Sequence, residues 1–210
     1  MPKRRGFRER ETLDLFALNG PMNCRQVWKT AKNRDKGSEG SLSSYQKAVD
    51  LLWREGLIEV KETSQWYGEG RMKKTYEITA EGLLRVLQDE DIWKEIDRIA
   101  RAQAENFPEI FGAWSTYDKM GAVSIAVKLL RYSVKNLAKG KPTYPEKLGD
   151  RAPTLRDWFV MSSIYPENGV LTDDEYSKWM GVLLVDEGAR KVYVGTIKWM
   201  YKSHKATAEV

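Results

Sequence analysis

The chain has one cysteine and one histidine in 210 residues. A lone Cys24 excludes an internal disulfide, and with only His204 beside it no Cys/His metal-ligand spacing can be assembled. A reducing, cytoplasmic setting is the expectation that follows. Long apolar runs are also missing. The best candidate, "GAVSIAVKLL", is interrupted by Lys128, and nothing approaches the ~18 apolar residues of a membrane helix. The first ten residues, "MPKRRGFRER", are charged and carry no apolar h-region, so no secretory signal is read there. No internal repeat or low-complexity tract occurs.

The apolar share of 41% and charged share of 31% describe an ordinary globular chain, long enough for one or two domains with their own cores. Eight Trp and ten Tyr point to aromatic-anchored packing or interfaces. The formal net charge of +5 permits a polyanionic partner without demanding one. That excess is uneven. Residues 1–10 hold five Lys/Arg against one Glu, and residues 21–38 hold five against one Asp.

Residues 1–10 read as a basic arm. "ETLDLFALNG" then places Leu13, Phe16 and Ala17 at helical spacing, with Gly20 and Pro21 as the stop. Asn23 is a candidate N-cap for a short helix, "CRQVWKTAK", with Val27 and Trp28 facing inward. "NRDKGSEGS" reads as a loop. A third helix is expected over 41–55, closed by Gly56, with Leu42, Tyr45, Val49 and Leu52 on one stripe. "LIEVKE" and "KKTYEIT" alternate apolar and charged residues as half-buried strands do, and the loop "TSQWYGEGRM" separates them. Three helices, a strand, a loop and a strand give the order of a winged helix-turn-helix.

"ALNGPMNCRQV", "SLSSYQKAVDLLWREGLIEV" and "GRMKKTYEITAEG" together resemble the winged-helix domain of PadR-like and related archaeal or bacterial transcription regulators, over roughly residues 11–88. The shared features are a Gly-Pro after the first helix, the "LxxLxxxGLI" pattern leaving the recognition helix, and "YxLTxxG" after the wing. The resemblance implies binding of double-stranded DNA and a homodimer formed through helices of residues 90–138.

A helix fits the major groove, and such a helix needs an apolar back and a face of short polar and donor side chains. Ser43, Ser44, Gln46 and Lys47 supply that face, although serine and lysine are also common on any solvated surface. Arg71, Lys73 and Lys74 gather on the wing (62–74), where a flanking groove or phosphate run would lie. Glu62 and Glu69 dilute them. Trp66 and Tyr67, beside Gly68 and Gly70, either anchor the hairpin or lean on sugars. Lys29, Lys32, Arg34 and Lys36 form a second basic cluster before the third helix, suited to the sugar-phosphate backbone. Lys3, Arg4, Arg5 and Arg8 of the arm would either reach phosphate or serve as a solubilising tail.

Beyond the wing, Thr79 is read as the cap of "AEGLLRVLQ". Ile92, Ile96, Ile99 and Gln103 share a face of "DIWKEIDRIARAQAENF", which Pro108 is expected to end. Met120, Val123, Val127, Leu130, Val134 and Leu137 form a heptad seam, either the centre of a helical bundle or a subunit contact. "GKPTYPEKLGDRAP" reads as a linker. Thr172-Asp173-Asp174-Glu175 is a capping box opening a helix with Tyr176, Trp179, Met180 and Leu183. "RKVYVGTIKWMY" fits strand or helix.

The expected architecture is therefore mainly α. A basic arm (1–10) leads into a winged helix (11–90), then a helical dimerisation or core region (91–140), then a helical C-terminal region of open role (141–210). No enzyme, metal or cofactor is expected. "GEGRMKKT" lacks the glycine before lysine of a phosphate-binding loop, and the carboxylates of "QDEDIWKEIDR" fit a solvated helix face. A sequence-reading DNA-binding regulator is the functional expectation. A winged helix used as a protein-interaction module in an assembly is the alternative, and an RNA-binding or mobile-element protein is a third.

Overall fold

The computed structural model describes residues 6–34, 40–65, 72–138 and 169–196. The expected mainly helical class holds: the described residues are helices plus one small antiparallel sheet of two strands. The chain divides into two compact units, Met1–Gln103 and Ala104–Val210. The first unit thus reaches past residue 90, where the sequence suggested the winged helix would end.

In the first unit α1 (Phe7–Asn19), α2 (Cys24–Arg34) and α3 (Leu42–Arg54) precede β1 (Ile58–Gln65) and β2 (Met72–Ile78). α4 (Ala80–Leu87), a 3₁₀ turn (Glu90–Glu95) and α5 (Ile96–Gln103) complete it. Residues 7–10, read as part of the arm, belong to α1, because Gly6 adopts φ 95° and its carbonyl accepts the Arg10 N–H at 3.1 Å. Arg8 is likewise no arm residue. Its guanidinium donates to Glu11 Oε2 at 2.6 Å and to the Tyr45 hydroxyl, and lies 4.6 Å from the centre of the Tyr45 ring. Residues 1–5 lie outside the described residues.

α1 is wrapped on most sides, with Thr12, Leu13, Leu15, Phe16, Ala17 and Leu18 all buried against α2, α3, α4, α5 and β2. Its last carbonyls therefore cannot turn to water and need donors from elsewhere. The residue that would donate to Ala17 O is Pro21, which has no N–H. Gln103 supplies the donor instead: its buried side-chain amide bonds Ala17 O at 2.9 Å and Phe16 O at 2.7 Å. Met22, next in line for Leu18 O, directs its N–H to Tyr76 O in an antiparallel bridge to β2. Arg98 Nε replaces it at 3.2 Å. Gln103, placed by periodicity on an apolar face, is thus a capping side chain of a helix more than eighty residues away in sequence.

The connection from β2 into α4 is tied to the exit of α3. Gly56 closes α3 at φ 72°, and the Thr79 hydroxyl donates to Gly56 O at 2.7 Å while accepting from Gly82 N at 3.2 Å. Gly82 packs so closely on this turn that a Cβ there would collide with the Leu57 carbonyl oxygen. The strands pair from Ile58↔Ile78 to Gln65↔Met72, with a bulge between Val60 and Glu62.

Ile92, Ile96, Ile99 and Gln103 are buried as expected, but not on one continuous helix, since the 3₁₀ turn precedes α5. Pro108 does not end this segment. It opens the short helix α6 (Pro108–Phe111), where its fixed φ and missing N–H are suited to the first turn.

The second unit continues with α7 (Trp114–Lys119), α8 (Val123–Ala138), α9 (Asp173–Val185) and α10 over 187–196. The heptad seam is displaced. Met120 caps α7, Gly121 turns the chain at φ 63°, and α8 starts only at Val123. The buried face of α8 runs through Ile125, Ala126, Leu129, Leu130, Ser133 and Val134, leaving Val123 and Val127 half-exposed. Nothing is described of the Leu137 side chain. Much of the aromatic content packs here: Tyr117 and Trp179 stand 5.1 Å apart, Trp179 and Tyr193 5.7 Å, Phe111 and Trp114 5.7 Å, centre to centre. The Thr172–Glu175 capping box forms as expected. "RKVYVGTIKWMY" is helical through residue 196, and its remainder, like the linker at 140–153, lies outside the described residues. Among the described residues no helix is long and apolar enough to cross a membrane.

Replacing Gln103 by leucine keeps the volume but strands the Ala17 carbonyl, so urea unfolding should show a loss of about 1–3 kcal/mol. A Gly82→Ala protein should lose a similar ~1–3 kcal/mol, since backbone rather than a flexible side chain has to yield.

Candidate nucleic-acid interface

α3 begins because Ser41 caps it: its Oγ accepts the Ser44 N–H at 3.2 Å. Tyr45, Ala48, Val49 and Leu52 are buried and hold the helix to the unit. At 100° per residue the opposite strip carries Ser43, Lys47, Asp50 and Arg54, all exposed. Gln46 is exposed on one flank of this strip, next to Trp53. Ser43, Gln46 and Lys47 thus stand together on the open side of α3. Ser44 does not join them: its hydroxyl donates to Ser41 O at 2.7 Å and serves the cap. Leu42, assigned to the apolar stripe, is only half-buried.

Strand alternation separates the basic residues of the hairpin. Lys74 lies on the same side of β2 as the buried Tyr76 and Ile78, and its Nζ reaches a point 5.1 Å from the centre of the Trp53 ring. Lys73 faces the other way, opposite Ser64. Lys61, the extra residue at the bulge, pairs with Glu77 at 3.0 Å, and Thr75 donates to Glu62 at 3.2 Å. Trp66, Tyr67, Gly68, Glu69, Gly70 and Arg71 lie outside the described residues.

The second basic cluster is also divided. Asn23 caps α2, accepting from Arg25 N and Gln26 N at 3.1 Å, while Gln26 Oε1 accepts the Asn23 N–H at 2.9 Å. Lys29 is exposed. Lys32 leans over the Trp28 ring at 5.7 Å, and the indole N–H of Trp28 donates to Gly40 O at 3.0 Å, tying the approach to α3 onto α2. Arg34 turns to a carboxylate of its own unit, 3.8 Å from Glu95. Lys36, Arg4 and Arg5 lie outside the described residues.

Two neutral groups feel the Asp50 carboxylate of this strip. Burial pushes the Cys24 thiol up, and the Asp50 carboxylate adds to it, so the sulfur is no thiolate nucleophile at neutral pH. Tyr76 is pushed up by burial first, then by Cys24 and Asp50. Among the described residues no group of three or more His, Cys, Asp or Glu is placed to hold a metal ion. The surface therefore offers hydrogen-bond donors and ammonium groups on a fixed helix rather than an activated nucleophile.

Sequence reasoning missed Trp53. It is 45% exposed, large and apolar, one residue beyond the buried stripe of α3. Its position on the polar side of the helical pattern was the available signal. No family model matches the chain, and no curated protein matches its sequence.

Trp53 restrains the Lys74 ammonium through its ring. A double-mutant cycle of Trp53→Ala and Lys74→Ala should give a coupling of about 0.5–1 kcal/mol in urea unfolding, as exposed cation–π pairs do.

Proposed function

We propose that the first unit is a winged helix that binds double-stranded DNA as part of a transcription regulator, with α3 in the major groove. The observation that carries this reading is the placement of α3: an anchored apolar back, an open strip of Ser43, Lys47, Asp50 and Arg54 flanked by Gln46, and a hairpin beside it whose Lys74 is held at Trp53. The antiparallel bridge from Met22 to Tyr76 supports it, adding a third extended segment between the first two helices. Of the described residues in the expected basic clusters, Lys29 and Lys73 are exposed and suited to flanking phosphates. Arg34, held at Glu95, is the weakest of the expected contacts. A homodimer through residues 90–138 belongs to the same proposal. Since the main apolar face of α8 is buried in its own chain, the half-exposed Met120, Val123 and Val127 are what the seam leaves for a partner among the described side chains.

Trp53, 45% exposed on α3, favours a second reading, a protein-interaction module in which its indole anchors a partner. Salt separates the two. Phosphate contact releases counterions and gives a steep log–log dependence of affinity on salt, whereas an aromatic protein anchor does not.

A labelled duplex of random sequence, about two helical turns long, is titrated with the protein at several salt concentrations and followed by fluorescence anisotropy. Binding that falls steeply with salt is the expected result, and no binding at low salt would sink the DNA reading. On a selected site, Lys47→Ala should weaken affinity by about 1–3 kcal/mol if the lysine reads a base. The same loss on every sequence would make it a phosphate contact.

A further inference from the structure

A groove of about 890 Å³ opens beside α1, α3 and α4. That is within the ~300–1,000 Å³ range of small-molecule sites. Its floor is apolar: Leu13, Leu52, Leu57 and Val86 are buried beneath it, while Leu51 stands over it 40% exposed. Its rim is acidic. Among the described residues, Glu9, Asp14, Glu55, Asp89 and Glu90 line it against the two cations Arg10 and Arg85. Both cations are engaged, Arg10 with Asp89 and Arg85 with Glu55 at 3.8 Å. An acidic trough on a chain of net charge +5 runs against the sign of the whole molecule.

We propose that this groove is a binding site for an amphiphilic organic cation, an apolar amine whose ammonium meets Asp14 and whose hydrocarbon body covers Leu51 and Leu52. The inference does not rest on DNA binding. A metal ion would gain nothing from the leucine floor, and an anion would face an excess of carboxylates. A neutral apolar molecule would gain nothing from the Glu9 and Asp14 carboxylates. The local surroundings of Asp14 suit an added cation. Burial raises its pKa to about 6 despite the opposing pull of Arg10 and Arg34, with Glu11 adding slightly to the rise. A ligand ammonium would offset that burial by favouring the charged carboxylate.

The test uses three compounds of one shape, 1-naphthylmethylamine, 1-naphthylmethanol and 1-naphthoate, titrated into the full-length protein by calorimetry at pH 7.5. The amine should bind about two- to fivefold more tightly than the alcohol, the difference one partly exposed charge pair contributes, and the carboxylate should not bind. Asp14→Asn should remove the preference for the amine and leave the alcohol unchanged. The variant is expected to fold, since the charged carboxyl is what burial disfavours. With its folded pKa raised, Asp14 stabilises the native state below its ordinary pKa and loses that contribution as pH rises through about 6. Asp14→Asn should therefore melt above the parent at pH 8 and alongside it below pH 4. A second measurement needs no variant: on the parent protein, amine affinity should fall between pH 7.5 and pH 5 while alcohol affinity stays level. Equal binding of all three compounds, no binding of the amine, or amine affinity indifferent to both Asp14→Asn and pH would each overturn the site.

Discussion

The first unit depends on one unmet requirement: the C-terminal carbonyls of a helix buried on most sides. Pro21 removes one natural donor and the bridge to β2 diverts the next, so Ala17 O and Leu18 O rely on side chains from α5. Buried polar groups without partners are costly enough that this decides where the unit ends. α5 cannot belong to a separate body while Gln103 and Arg98 complete α1. The same turn that begins at Gly20 and Pro21 frees Met22 to pair with Tyr76, so sheet and helix ends are arranged by a single proline. α3 is a beneficiary, because it packs on α1 and is latched to it through Arg8 and Tyr45.

Local chemistry made much of this legible in the sequence. Asn23, Thr79 and Thr172 read as capping residues, and each caps the helix it precedes. Gly56 takes the positive φ that a helix exit requires, and the alternation of Tyr76 and Ile78 gives the inner face of β2. Long-range demands were not legible. Nothing near Gln103 in the chain says that its amide is needed by the Ala17 carbonyl, four residues before Pro21, so periodicity assigned it to an apolar face. Pro108 looked like a stop because proline ends helices, yet it is equally suited to begin one. The 3-4 spacing from Met120 to Leu137 described a seam, but Gly121 breaks the helix at its start and the aromatic cluster decides which face of α8 is buried.

The candidate surface shows the same division. Which face of α3 is open follows from its period, and Ser43, Gln46 and Lys47 lie there. How charged side chains are restrained does not follow from spacing. Ser44 is taken by its own cap, Arg34 by Glu95, and Lys74 by an indole ring that the apolar stripe did not include. A basic count along the chain thus overstates the number of cations free to meet a polyanion. The flank of α3 that carries Leu51 borders a trough of the opposite sign, so one helix separates two surfaces of contrary electrostatic character.

The bulge at Lys61 gives the hairpin a property that its pairing alone would not. Val60 faces Tyr76 and Glu62 faces Thr75, so Lys61 is surplus to the ladder. Losing that one residue would cost the Lys61–Glu77 ion pair but preserve every backbone pair of the ladder while straightening the ribbon, because a bulge bends its strand and tightens the local twist. Aim and register are thereby uncoupled. Across a lineage, single-residue insertions and deletions at this point could steer the hairpin relative to α3 while leaving the backbone pairs that hold it together intact.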